Sequence, residues 1–113
     1  MVYLSHAHEE TATRALSHLA EARKTFDEGG RDGEVGRICY RALDELRKLA
    51  DSIEERYGKF GKDRLVEQIN DLKSLCNPER HGDAPHHDDL KFDRVLAQHV
   101  LAVTSSIAGV LLR

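Results

Sequence analysis

Between Leu75 and Asp89 the chain reads LCNPERHGDAPHHDD, and this stretch concentrates the side chains able to do chemistry. It holds His81, His86 and His87, Arg80, the thiol of Cys76, and the acids Glu79, Asp83, Asp88 and Asp89, with Pro78 and Pro85 breaking any helix. Histidine titrates near neutrality, so His81 is the candidate for moving a proton. His81, Asp83, His86 and His87 together also offer nitrogen and oxygen donors for a metal, but their spacing matches no closed zinc motif, and solvated loop residues are the simpler reading. Cys76 as a nucleophile is disfavoured, because a helix C-terminus carries partial negative charge and opposes a thiolate. A small apolar residue closing a helix accounts for it better. Cys39 lies on an apolar stripe and reads as core.

The elements that must position this stretch are helical. The apolar residues Ala12, Ala15, Leu16, Leu19, Ala22 and Phe26 recur at three-to-four spacing, predicting a helix over 4–28 that Gly29 and Gly30 end. Val35, Ile38, Cys39, Ala42, Leu43, Leu46, Leu49, Ala50, Ile53 and Tyr57 predict a second over 33–57, with Asp32 a candidate cap and Gly58 and Gly61 at its end. Leu65, Val66, Ile69, Leu72 and Leu75 predict a third over 63–76, capped by Asp63. The stripe Leu90, Val95, Leu96, His99, Val100, Val103, Ile107 and Val110 predicts a fourth over 89–112, capped by Asp88 or Asp89. His99 on that stripe reads as a hydrogen-bonded core or interface residue, with a supporting role beside His81 as the lesser alternative. Short first and second connections imply antiparallel neighbours, hence an all-α, antiparallel up-down four-helix bundle in a single domain over 1–113.

Composition agrees. The chain has 113 residues, enough for one core, with 40% hydrophobic and 33% charged residues and no tryptophan. A net charge of −3 supplies no global basic field, so contact with nucleic acid needs a local patch. Arg37, Arg41, Arg47 and Lys48 are interleaved with acids and read as a solvated face. Two cysteines far apart in sequence fit a reducing cytoplasm, no leader peptide is visible at the N-terminus, and polar interruptions between Leu96 and Leu112 argue against a membrane span. No cofactor is expected.

The segment Cys76-Asn77-Pro78-Glu79-Arg80-His81-Gly82 between two amphipathic helices resembles the signature of HEPN domains, an all-helical family. That signature is an arginine, a polar residue, three variable residues and a histidine. Asn77 and His81 sit at the polar and histidine places, whereas Cys76 sits where the arginine belongs. The resemblance implies a homodimer and either a metal-independent endoribonuclease, acting as a toxin or defence effector with a composite site where the two motifs meet at the dimer interface, or an inactive module that binds RNA, nucleotide or a protein partner. A nucleotidyltransferase antitoxin often accompanies such domains. Under this resemblance the candidate catalytic residues are His81, Arg80 and Asn77, with Arg80 the only nearby replacement for the phosphate-binding fork that Cys76 lacks. The expectation is therefore an RNA-associated or partner-binding module with weak or no nuclease activity. A purely structural dimerisation or adaptor domain is the further alternative.

Overall fold

The computed structural model describes residues 6–76 and 92–112 of the chain. Among them the chain is all-helical, with α1 at His6–Asp27, α2 at Asp32–Leu49, a 3₁₀ turn at Ala50–Ile53, α3 at Glu54–Cys76 and α4 at Arg94–Leu111. No strand occurs among the described residues.

Helix α1 stops where a glycine can leave the helical region. Gly29 has φ +75°, its N–H donates to the Phe26 carbonyl (3.1 Å), and the Gly30 N–H donates to the Thr25 carbonyl (2.8 Å). This pair of bonds is a Schellman cap, which satisfies carbonyls that the helix end would otherwise orphan. The chain then reverses, and Arg14 Nε lies 3.3 Å from Glu45 Oε2 across the α1–α2 pair. Residue 31 rather than 32 holds the cap position of α2, without a side-chain cap bond, so Asp32 instead places a carboxylate in the positive first turn.

Helix α2 is the centre of the core. Val35, Ile38, Cys39, Ala42, Leu43, Leu46 and Leu49 are all buried, and α2 packs against α1, α3 and α4. The expected helix over 33–57 and break before 63 are corrected in detail. Regular α-helix ends at Leu49 and tightens into the 3₁₀ turn, while α3 begins at Glu54 and contains the expected break as a kink at Gly58 (φ 76°, ψ 170°). Only glycine adopts that backbone conformation cheaply, so the reversal needs no longer loop. Lys62 clasps the corner, with Nζ 2.8 Å from Asp51 and 3.4 Å from Glu54. Its hydrogen bond and charge hold the exposed Asp51 carboxyl below the usual carboxylate range. Asp63 therefore lies inside α3 and does not cap it. Returning along α2, Lys73 pairs with Asp44 (2.5 Å) and sits 5.0 Å from the centre of the Tyr40 ring, so α2 and α3 are antiparallel.

Helix α4 is capped by Asp93, whose carboxylate accepts from the Leu96 N–H at 2.8 Å. The expected start at 89 is replaced by Arg94, and the caps Asp88 and Asp89 fall outside the described residues. Arg94, at the start of α4, reaches Phe26 at the end of α1, while Leu16 and Leu19 of α1 line a groove with Ser105, Ala108 and Leu112 near the end of α4. These two contacts make α1 and α4 antiparallel.

Candidate functional site

Asn77, Arg80 and His81, together with the alternative metal donors Asp83, His86 and His87, lie outside the described residues. What the structure describes is the frame from which their segment departs and to which it returns. Cys76 closes α3 on one side, and Phe92, Asp93 and Arg94 open α4 on the other.

Both ends of the frame meet at Gly36 of α2. A Cβ built there would lie 3.1 Å from two carbons of the Phe92 ring and 3.2 Å from the Cys76 carbonyl oxygen. The absent side chain lets the end of α3 and the aromatic ring before α4 both approach the α2 backbone, which fixes where the intervening segment emerges. One helical turn on, Cys39 projects from the same side of α2, and both thiols are buried and unbridged. Burial pushes each thiol up to about 12, and for Cys76 the neighbouring Cys39 adds to the effect. Cys76 is thus a neutral core residue at physiological pH. It supplies neither a nucleophile nor the cationic fork that the arginine of the family signature would present.

On the α4 side, Arg94 Nη2 donates to the Phe26 carbonyl at 2.9 Å, and its guanidinium carbon lies 3.8 Å from the Phe26 ring centre. This contact locks the first turn of α4 to the end of α1. Sequence reading missed Gly36, Phe92 and the Arg94–Phe26 pair, which join residues far apart in the chain.

Two further expectations change. His99, read as a core or interface residue on the apolar stripe, does not enter the core of the chain: it is exposed on the outer face of α4, as are Val95 and, on α1, Leu16. Thr104 takes the buried position instead, and its hydroxyl has no hydrogen-bond partner among the described residues. Among the described residues no group of three or more His, Cys, Asp or Glu is arranged to hold a metal. Arg37 and Lys48 are paired with Glu34 and Glu45 on the surface.

Among the described residues Arg94–Leu111 is long and apolar enough to cross a membrane by length and composition alone, and 39% of it is buried within the protein. No protein-family model, curated protein or solved structure matches the chain.

Proposed function

We propose that this chain is a HEPN-like helical module that associates with RNA or with a protein partner through the segment carrying Asn77, Arg80 and His81, and that it has weak or no nuclease activity. The observation that carries this reading is the burial of Cys76. At the position where the family signature places a phosphate-binding arginine, the chain has a neutral thiol packed into the core, its pKa pushed up to about 12. Electrostatic stabilisation of the reacting phosphate is normally a large part of phosphoryl-transfer catalysis, and it cannot come from this side chain.

The antiparallel up-down four-helix bundle belongs to the same proposal. It is supported by the antiparallel contacts of α1 with α2, α2 with α3 and α1 with α4. The proposal also includes a cytoplasmic location and assembly as a homodimer, with a nucleotidyltransferase-type antitoxin or a larger protein as candidate partner.

The test is direct. Fluorescence anisotropy with a labelled single-stranded RNA should give binding that falls about tenfold in Arg80→Ala and weakens as salt rises, since a phosphate contact releases counterions. Cleavage of the same RNA should stay at the level of His81→Ala. Cleavage that His81→Ala abolishes would instead establish the endoribonuclease alternative. Absence of both binding and cleavage would leave the adaptor reading.

A further inference from the structure

From Val95 to Leu112 the chain contains no Asp, Glu, Lys or Arg, although a third of the whole sequence is charged. A charge-free helix in a globular domain of this size is normally sunk into the core on most sides. Here it is not: 39% of α4 is buried.

The helix carries two seams. Ala97, Val100, Leu101, Thr104, Ile107, Ala108 and Leu111 form the buried one. On the opposite side Val95, Gln98, Ala102, Ser105 and Gly109 follow one another at alternating spacings of three and four residues, and all five are exposed. That is the spacing with which one helix packs along another. The exposed seam ends in an open groove of about 430 Å³ between α1 and α4, lined by Leu16, Leu19, Ala20, Ser105, Gly109 and Leu112. Leu16 is 51% exposed at its edge and Val95, at the far end of the seam, is 74% exposed.

We propose that this face binds a second copy of the chain, α4 against α4, antiparallel about a two-fold axis at Ala102. The argument is self-complementarity. Residues equidistant from position 102 meet in such a pairing, so Val95 of each copy faces Gly109 of the other and enters the groove beside Leu16. The largest apolar side chain of the seam meets the position with none, twice, by symmetry. Gln98 and His99 face Ser106 and Ser105 of the other copy, setting donors opposite acceptors, and Ala102 meets itself with room for close backbone approach. A parallel pairing would instead set Val95 on Val95 and leave a void at Gly109. Charge matching favours a second copy, because burying a charged surface against this seam would strand its charges without partners.

This inference rests on the self-association part of the proposed function and is independent of its RNA part. The histidine segment leaves and re-enters at the Val95 end of α4, and antiparallel copies put those ends roughly 21 Å or more apart, from 14 residues at 1.5 Å rise each.

Sedimentation equilibrium of the full chain tests it. The wild type is expected to show a monomer–dimer equilibrium at micromolar concentration, and Ala102→Glu, which places two like charges at the axis, should raise the dissociation constant roughly 100-fold or more. Position 102 is exposed, so the far-UV circular dichroism should not change. Ala102→Cys should be linked into dimers by a short bismaleimide, and the wild type, whose thiols are buried, should not. The inference is overturned by a wild type that stays monomeric throughout, including one that instead floats with phosphatidylcholine vesicles. A dimer indifferent to Ala102→Glu overturns it equally. Anisotropy with Ala102→Glu keeps the two readings apart: RNA binding that survives dimer loss upholds the RNA reading alone, and its absence in a dimeric wild type upholds the interface alone.

Discussion

The guanidinium of Arg94 covers the ring of Phe26 at 3.8 Å and donates to the backbone carbonyl of that same residue at 2.9 Å, joining positions 68 apart in sequence. One side chain thus ties the start of α4 to the end of α1 by a cation–π contact and a charge-assisted hydrogen bond.

Arg94→Ala removes both. Because Arg94 is itself exposed, its expected cost is about 1 kcal/mol, less than for a buried pair. Urea unfolding followed by circular dichroism should show the midpoint falling with an unchanged slope.

Thr104→Val should leave stability equal or raise it by about 1 kcal/mol. The Thr104 side chain is fully buried and its hydroxyl finds no partner among the described residues, so a methyl of similar size removes a desolvation cost without opening a cavity. A drop of more than about 1 kcal/mol would show that the hydroxyl is satisfied in solution.

The thiols give a pH dependence. Cys39 and Cys76 are raised from 9.0 to about 12 in the folded chain. A group whose folded pKa lies above its unfolded value contributes stability that is complete below the unfolded pKa and is lost as pH rises towards the folded one. Stability should therefore decline between pH 9.0 and about 12, by about 1 kcal/mol per thiol near pH 10. The double variant Cys39→Ala/Cys76→Ala should show a shallower decline over the same range in parallel unfolding titrations. A thiol reagent at neutral pH should label the native protein slowly and both cysteines at once when urea unfolds it.

Gly58 and Gly33 should respond to alanine in opposite ways. A Cβ meets nothing within 4 Å at either position, but Gly58 has φ +76° and Gly33 lies within α2. Gly58→Ala is expected to cost about 1–3 kcal/mol through backbone strain alone, and Gly33→Ala to gain about 0.5–1 kcal/mol through helix propensity. Thermal melts of the two variants check both signs.

The core was legible in the sequence where several apolar positions at helical spacing agree. Ala12, Ala15, Leu19, Ala22 and Phe26 on α1, and the whole stripe from Val35 to Leu49 on α2, are buried as their spacing implies. Periodicity failed at the edges of a stripe. Leu16 neighbours Ala15, Val95 neighbours Leu96 and His99 neighbours Val100, and which of two adjacent residues turns inward depends on where the partner helix lies. The cap of α4 was misplaced for a related reason: Asp88 and Asp89 offer the same capping carboxylate as Asp93, and the contact of the first turn with Phe26 through Arg94 goes with the start at Asp93. The frame of the histidine segment was not legible. A glycine at 36 that admits Phe92 and the Cys76 carbonyl is a long-range fit with no local signature.

The Arg94–Phe26 contact also orders assembly. The α1–α2 and α2–α3 pairs close through short connections, whereas α4 docks only when chain segments far apart in sequence have met, at a larger loop-closure cost. Helix α4 should therefore be the last element to settle and the first to open, its amides exchanging with deuterium well before those of α2.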